Sequence, residues 1–322
     1  MRFAMIGCGG FARRYHVPTL LADADVRLAG IFDPHPAPAV RELAAATGAA
    51  LVDRIEALPD ADAALVTTPH ALHAGHADHA LARGWATLVD KPFVMKAEDA
   101  RRLIAHAARD RLVNAVGFNR RLDAGCLRAR EIIRSGGIGA VQFVETVQLG
   151  YERGGWFLDP ALGGGGPFTG RGTHMADIVP WLVEARPAAL SSRVRSGPAG
   201  RSDRGGTIDL FFPAFEARMT CVEEGWHMWD EIRVFGADGL IELRRPLNMP
   251  TGWALTWHSR RGAARSEEAA EPNEGRITTQ FLAACRTGAP VACSFADALL
   301  SVEIIEGAFA SAAAGGAVRT LG

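Results

Sequence analysis

The sequence predicts an α/β fold with a parallel sheet in its first third, followed by an α+β domain. Two observations carry this prediction. Up to about residue 120, short apolar runs alternate with helical stretches, which is the pattern of βαβ units in a parallel sheet. Beyond that point, strand-like runs alternate apolar and polar residues, which is typical of antiparallel strands with one solvated face.

Composition limits the class of protein. The chain has 322 residues, 48% of them hydrophobic and 22% charged, and a formal net charge of -1. That length predicts two domains, and the charge does not favour a nucleic-acid partner. The five cysteines form no C-x-x-C pair, which fits free thiols in a reducing compartment. With no apolar run of ~18 residues and a strand at the first residues, we expect a cytoplasmic protein without signal peptide or membrane contact.

The first domain is predicted to consist of five strands with helices between them. The strands are expected at 3–6, 26–32, 63–67, 87–89 and 113–117. Helical patterns occupy 11–22, 39–47, 70–82 and 97–109. The crossovers should be right-handed. We place this domain at 1–120 and the second domain at 121–322.

The second domain begins with a predicted helix at 125–135 and continues with strands. Residues 215–221 alternate without a fault, residues 232–243 predict a hairpin around the turn 236–239, and Trp253, Leu255 and Trp257 alternate on a further strand. Two segments, 163–166 and 191–206, are expected to be loops. A last helix starts at Ser294, whose hydroxyl can form a capping box with Asp297.

A glycine-rich turn follows the first strand. Its residues are Gly7, Cys8, Gly9, Gly10, Phe11 and Ala12. They match G-x-G-x-x-G/A between a strand and a helix, the context in which this motif binds a dinucleotide. The first glycine allows the tight turn, the second lets the backbone approach a pyrophosphate, and the alanine keeps helix and strand close. The helix N-terminus supplies N–H donors to the phosphates.

An acidic residue ends the second strand. Asp33 lies 21 residues after Ala12, where a carboxylate accepts hydrogen bonds from a ribose diol and repels a 2′-phosphate. Pro34 and His35 follow, so no adjacent arginine or lysine could hold that phosphate. The sequence therefore favours NAD over NADP as the cofactor.

Further motifs, in order along the chain, resemble those of the Gfo/Idh/MocA family of glucose–fructose oxidoreductase and inositol dehydrogenase-like proteins. The segment T-P-x-x-x-H is carried by Thr67, Thr68, Pro69 and His73; E-K-P by Asp90, Lys91 and Pro92; G-x-N-x-R by Gly117, Asn119 and Arg121; and G-G-G…G-x-H-x-x-D by Gly164, Gly165, Gly166, Gly172, His174 and Asp177. Aspartate replaces the commoner glutamate at position 90. The resemblance runs nearly from end to end.

The resemblance implies a Rossmann domain followed by an α+β domain with an open, mostly antiparallel sheet. It implies hydride transfer between a nicotinamide cofactor and a ring hydroxyl or ketone of a sugar, sugar derivative or cyclitol. Together with the glycine turn and Asp33, it implies that cofactor contacts come from Thr67, Thr68, Pro69, His73, Asp90, Lys91 and Asn119. The exposed sheet face would form a homodimer or homotetramer.

Two residues match the chemistry that oxidation of an alcohol requires. The hydroxyl proton needs a base active near neutral pH, and histidine is the side chain closest to that range. A cation beside the developing alkoxide lowers its energy. The resemblance assigns His174 and Lys91 to these roles and implies a cis peptide bond between Lys91 and Pro92.

Substrate contacts are predicted on both sides of the glycine run. Arg121 follows the last strand of the first domain, and Tyr151, Arg153 and Trp156 lie in the connection where the family places sugar contacts. Aromatic rings offer a platform for the C–H face of a sugar, and arginine binds hydroxyls or a carboxylate. Trp156 could equally be a core residue. Lys91, Asp177 and His174 complete the predicted substrate set.

One position departs from the family pattern. Many members carry an aspartate four residues before the histidine, and here that position is Gly170. Asp177 could take over part of its work if the segment is helical. The departure keeps a second hypothesis open, a non-catalytic NAD(H)-binding regulator with the same fold. Redox-assisted glycoside cleavage, which begins with the same hydride step, also remains open.

Two clusters are interpreted as structural. His70, His73, His76 and His79 recur every third residue, but they drift around a helix and have no acidic or cysteine ligand beside them, so we predict no metal site. His73 alone matches a family position, and the other three are expected at the surface. Four arginines fall in the segment 191–206, at positions 193, 195, 201 and 204. A phosphate or nucleic-acid patch is conceivable, but the net charge and the lack of interleaved aromatic residues favour a solvated loop or an oligomer contact.

Overall fold

A computed structural model describes residues 1–322 except 152–153, 200, 224, 226, 246–251, 261 and 268–274. The chain forms two compact units. The first unit consists of Met1–Phe118 and Glu274–Leu299, and the second unit of Asn119–Asn273 and Leu300–Gly322. No helix in the described ranges is long and apolar enough to cross a bilayer.

The first unit contains a parallel sheet, as predicted, with six strands rather than the five expected. Its strands are β1 (Arg2–Ile6), β2 (Arg27–Phe32), β3 (Ala50–Val52), β4 (Ala63–Val66), β5 (Ala86–Val89) and β6 (Asn114–Val116). Its helices are α1 (Val17–Leu21), α2 (Pro38–Thr47), α3 (His73–Ala82) and α4 (Ala97–Arg109), and a π-helical turn Ala12–His16 leads into α1. The strand order β3-β2-β1-β4-β5-β6 is that of a Rossmann fold. The short edge strand β3 was not predicted.

Late residues of the chain return to the first unit. Helix α8 (Arg276–Thr287) packs on the sheet through Phe281, whose ring meets Phe3 edge-on at 6.4 Å. Arg286 also pairs with Asp23 at 2.6 Å. The division expected at residue 120 therefore differs from the compact units, because a boundary drawn along the sequence assumes that each domain is one continuous segment.

The second unit is built on a nine-stranded sheet. Its remaining helices are α5 (Ala124–Arg134), the single turn α6 (Pro160–Gly163), α7 (Thr173–Val183) and α9 (Phe295–Ala313), the last of which starts in the first unit. Its strands are β7 (Val141–Leu149), β8 (Ala189–Val194), β9 (Gly205–Phe211), β10 (Glu216–Val222), β11 (Trp229–Gly236), β12 (Gly239–Arg245), β13 (Ala254–Ser259), β14 (Gly262–Glu267) and β15 (Arg319–Thr320).

The strand order of this sheet is β14-β13-β12-β11-β7-β10-β9-β8-β15. All pairings are antiparallel except β7 with β10, so the predicted mostly antiparallel sheet is confirmed. The alternation in β10 correctly indicated one buried face, but antiparallel pairing holds only on its β9 side. The central strand β7 was not predicted, and β8 and β9 occupy both ends of the segment 191–206 that was expected to be a loop.

Apolar side chains on one face of this sheet form the core of the second unit. Val144, Ile208, Met219 and Val234 face helices α5, α7 and α9 and are almost fully buried. The capping box at the start of α9 is confirmed, since the Asp297 carboxylate accepts the Ser294 N–H at 2.8 Å and the Ser294 hydroxyl accepts the Asp297 N–H at 3.2 Å.

Candidate functional site

The glycine turn adopts the tight conformation that the motif predicts. Gly7 has a φ of 84°, in the region that disfavours side chains. A Cβ on Gly7 would lie 2.7 Å from the Thr68 methyl group and 2.9 Å from the Thr68 nitrogen. The Gly7 N–H donates to the Phe32 carbonyl at 2.9 Å. Only glycine fits where β1, β2 and β4 converge.

The next residues of the turn leave room for a ligand. A Cβ on Gly9 or on Gly10 would meet no atom within 4 Å, and both residues are exposed. Ala12 is buried and begins the π-helical turn, while Phe11 is 40% exposed. This open backbone at a helix start, next to a buried alanine, fits the pyrophosphate of a dinucleotide. Burial raises the pKa of the Cys8 thiol to about 11, so it adds no charge to the turn at neutral pH.

Asp33 lies directly after β2 and is half-buried. Its N–H donates to the Val52 carbonyl at 3.1 Å, and its Oδ1 accepts the His35 N–H at 3.0 Å. The hydrogen bond from the His35 N–H therefore fixes the Asp33 carboxylate at the carboxyl end of the sheet. Ligands of parallel sheets bind at this end.

The segment after β4 is tied to the glycine turn. The Thr67 hydroxyl donates to the Gly7 carbonyl at 2.8 Å, and the Thr67 N–H donates to the Ile6 carbonyl. Thr68 is nearly buried and its hydroxyl lies 2.9 Å from His76 Nδ1. Pro69 precedes the helical turn His70–Leu72.

His73 connects this segment to the strand end that carries the lysine. The side chain is fully buried, with Nδ1 2.7 Å from the Pro92 carbonyl and Nε2 2.8 Å from the Thr68 carbonyl. Burial lowers the pKa of His73, although both carbonyls oppose that shift. Its ring nitrogens face protein backbone, so its part in the site is to hold the Thr68 and Pro92 segments together.

Lys91 follows β5 and is half-buried. The Asp90 carboxylate accepts the Lys91 N–H at 2.8 Å, and a Cβ on Gly117 would lie 2.7 Å from that same carboxylate oxygen. Any side chain at position 117 would therefore clash with the Asp90 carboxylate. The peptide bond between Lys91 and Pro92 is cis, as the resemblance implied.

The histidine series is not a surface feature. His70 is 4% exposed and meets the ring of His73 at 5.9 Å, so the expectation of a surface position was wrong for it. The turn His70–Leu72 precedes α3, and its first residue points inward rather than continuing a helical face. No group of three or more potential metal ligands occurs among the described residues.

Acid should weaken the first unit through His76. Burial lowers the pKa of His76 to about 4, so between pH 6.5 and about 4 the unfolded chain takes up a proton that the folded chain does not. This contribution to stability is complete above pH 6.5 and is lost as the pH falls, by up to about 1.4 kcal/mol per pH unit. His76→Asn, which can keep an acceptor near the Nδ1 position, should reduce that slope in urea unfolding curves measured across this range. A slope that His76→Asn leaves unchanged would contradict this role.

In the second unit, His174 is the second residue of α7. From Gly166 to Pro180 every residue is buried except His174, which is half-buried. The buried neighbours pack into the core and leave this imidazole as the one side chain of that stretch that reaches the surface. Its position suits contact with a ligand.

Arg121 and Asp177 form a buried ion pair. Arg121 Nε lies 3.1 and 3.0 Å from the two carboxylate oxygens, and a terminal nitrogen lies 2.6 Å from Oδ1. The side chains are 9% and 1% exposed. These contacts differ from the expectation that each side chain faces the substrate, since each faces the other. Asn119, in contrast, is half-buried in the turn Asn119–Leu122.

Sequence reasoning missed Arg171, which follows Gly170 in a second π-helical turn, Phe168–Gly172. Its guanidinium pairs with Glu223 at 3.2 Å and also donates to Met228 Sδ. A Cβ on Gly150 would overlap this guanidinium. Arg171, three residues before His174 in the chain, therefore contacts both the end of β7 and the end of β10. A buried arginine inside a glycine motif gives no periodic signal that sequence reasoning could have used.

The predicted aromatic contacts lie after β7. Tyr151 is 41% exposed, and Trp156 is half-buried and stacks on Phe157 with ring centroids 3.7 Å apart. Arg153 lies outside the described residues.

The fold and the glycine turn define a protein with a Rossmann-type dinucleotide-binding domain. Residues 1–118 match the family model "Oxidoreductase family, NAD-binding Rossmann fold", and residues 126–242 match "GFO/IDH/MocA C-terminal domain". The chain belongs to the Gfo/Idh/MocA oxidoreductase family.

Relatives and solved structures agree with this assignment. Inositol 2-dehydrogenase of Rhizobium meliloti is 27% identical over 97% of each chain. A 1-carboxy-3-chloro-3,4-dihydroxycyclohexa-1,5-diene dehydrogenase of Comamonas testosteroni is 33% identical over 64% of this chain, which spans only 53% of that protein. The aldose-aldose oxidoreductase structure from Caulobacter crescentus shares the fold, with a TM-score of 0.87 at 22% identity over 100% of this chain and 99% of that one.

Proposed function

We propose that the protein is an NAD-dependent dehydrogenase that oxidises a ring hydroxyl of a sugar, sugar derivative or cyclitol, or reduces the corresponding ketone. The observation that carries this proposal is the combination of an open glycine turn after β1 with a lysine at the end of β5 and a surface-reaching histidine on α7. The names of relatives that act on inositol and aldoses support the substrate class.

The residues have separate roles in this proposal. NAD+, when bound, would supply the acceptor for the hydride that leaves the substrate carbon. His174 takes the hydroxyl proton as general base, and Lys91 stabilises the negative charge that develops on the oxygen. His73 keeps Lys91 in place through Pro92, and the Arg121–Asp177 pair anchors α7 beneath His174. In the reverse direction His174 returns the proton.

The cofactor half of the site is assigned to the first unit and Asn119. Gly7, Gly9, Gly10, Phe11 and Ala12 would hold the pyrophosphate. Asp33 would bind the adenosine ribose, and the segments around Thr67 and Asp90 would line the nicotinamide half. Tyr151 and Trp156 would contact the sugar, since the exposed ring of Tyr151 and the half-buried ring of Trp156 can stack on C–H groups.

NAD should bind more tightly than NADP. A 2′-phosphate would be forced against the Asp33 carboxylate, and like charges at close range cost about 1 kcal/mol or more even near a surface. Asp33→Ser should therefore reduce the preference by about fivefold or more, measured as the ratio of dissociation constants in fluorescence titrations. Asp53→Ser, in the exposed turn after β3, serves as the control. Equal binding of both cofactors by the wild type would refute the role of Asp33.

We also propose that the protein forms a homodimer or homotetramer through the sheet face opposite the helices. Half-buried Phe143, Val147 and Phe235 lie on this face between ion pairs such as Arg233–Glu145. A face of this mixed character can be covered by a second copy of itself, because a two-fold axis brings complementary charges together.

A cytoplasmic location remains a prediction.

A further inference from the structure

The second unit contains a cavity that the proposed catalytic roles do not use. Its volume is about 540 Å³, within the range of small-molecule sites. One wall is the chain after β7, the other is the connection between β8 and β9, and Glu223 lies after β10. The lining residues are Gly154, Phe157, Leu158, Pro198, Arg201, Ser202, Asp203, Arg204 and Glu223.

The two walls are tied together by Ser202, which is 7% exposed. Its hydroxyl donates to the Phe157 carbonyl at 2.9 Å, and its N–H donates to the Leu158 carbonyl at 3.3 Å. These bonds hold the apolar wall at a set distance from the charged wall. The cavity is therefore built into the fold rather than formed by a loose loop.

The carboxylate of Asp203 is already engaged by the protein. It accepts N–H groups from Gly166 at 2.5 Å and from Gly205 at 2.9 Å, and Phe168 contributes a further N–H. Burial raises the pKa of Asp203, and these three donors oppose that shift. Asp203 thus holds the glycine run that leads into α7 and has little capacity left for a ligand.

Glu223 is engaged in the same way. It pairs with Arg171 at 3.2 Å, and the two side chains are 8% and 10% exposed. Both acids therefore accept hydrogen bonds from residues that shortly precede His174: Gly166 and Phe168 donate to Asp203, and Arg171 pairs with Glu223. Arg201 and Arg204 are exposed and line the same cavity as the apolar Phe157 and Leu158.

We propose that this cavity binds the anionic group of a polyhydroxylated substrate, a carboxylate or a phosphate, through Arg201 and Arg204. Guanidinium groups bind both anions with paired hydrogen bonds, and Phe157 offers an apolar surface to the carbon skeleton. This inference rests on the proposed function and narrows it. The substrate is an acidic sugar or cyclitol, and the arginines that the sequence assigned to a solvated loop or an oligomer contact select it.

Binding to the whole protein without cofactor tests this directly. Isothermal titration calorimetry would compare glucose, glucuronate and glucose 6-phosphate. At least one of the acidic sugars should bind about 10- to 100-fold more tightly than glucose, the range expected for hydrogen bonds to a charged group. Glucuronate and glucose 6-phosphate distinguish the carboxylate from the phosphate, and inorganic phosphate shows whether the anion alone suffices.

The double variant Arg201→Ala with Arg204→Ala should lose this preference, and the double replacement by lysine should retain part of it. Arg193→Ala is the matched control, since Arg193 is an exposed arginine on β8 that does not line the cavity. Thermal melts would show that each variant is folded. Equal binding of neutral and acidic sugars, or a preference that survives in the double alanine variant, overturns the inference.

The reduction of NAD+ separates this inference from the proposed function. If only the inference is wrong, the wild type oxidises neutral sugars and shows no preference for acidic ones. If the proposed function is wrong, no sugar supports NAD+ reduction, yet acidic sugars still bind and the double alanine variant still loses them.

Discussion

Replacing His174 with alanine should reduce turnover by about 10²–10⁴-fold, the usual effect of losing a positioned acid or base. Lys91→Ala should cause a loss of similar size, because the developing alkoxide would lack its cation. Both variants should still bind NAD, since neither side chain is assigned to the pyrophosphate or the adenosine ribose. The measurement is the absorbance of NADH with the best substrate from a screen of sugars, sugar acids and inositols.

Exposed residues of the same type provide the controls. Lys96→Ala and His258→Ala remove an exposed lysine and an exposed histidine, and they should keep wild-type turnover. Wild-type turnover of His174→Ala would show that the base is another group. If the wild type binds NAD but no tested substrate reduces it, the regulator hypothesis that Gly170 keeps open gains support.

Removing one partner of the Arg121–Asp177 pair should destabilise the second unit strongly. Asp177→Ala leaves the Arg121 guanidinium buried without its carboxylate, and breaking a buried pair in this way costs about 3–5 kcal/mol. The free energy of unfolding from urea titrations, followed by circular dichroism, measures the loss. The cause is desolvation of the remaining charge rather than loss of the attraction itself.

Two further variants separate this cause from general damage to α7. Glu131→Ala removes the surface partner of Arg128 and should cost no more than about 1 kcal/mol. Combining Asp177→Leu with Arg121→Met replaces both charges with apolar groups and should recover much of the stability lost in Asp177→Ala. A double variant that is even less stable than Asp177→Ala would mean that the pair contributes more than the penalty of an unpaired charge.

Local patterns were sufficient to predict most of the parallel sheet in the first unit. A buried parallel strand appears in the sequence as a short apolar run, which made β1 recognisable. A turn that requires a glycine with a positive φ appears as a glycine motif, which identified the turn at Gly7 and, with it, the acidic position Asp33 after β2. The edge strand β3 was missed because its three residues are partly exposed and carry no alternation. In the second unit, the alternation of β10 identified a buried face, but hydrogen-bond direction depends on which strand lies alongside.

The sequence by itself determined the fold class, the dinucleotide turn and the motif positions of Lys91 and His174, because each depends on neighbours within a few residues along the chain. The tertiary structure alone decided the return of α8 to the first unit, the pairing of Arg121 with Asp177, and the use of Asp203 and Glu223 to hold the turn before His174. The residues that pair in these contacts lie 37 to 56 positions apart along the chain. Charged side chains look alike in a sequence whether they face solvent or a partner, and only packing removes the water that separates these cases.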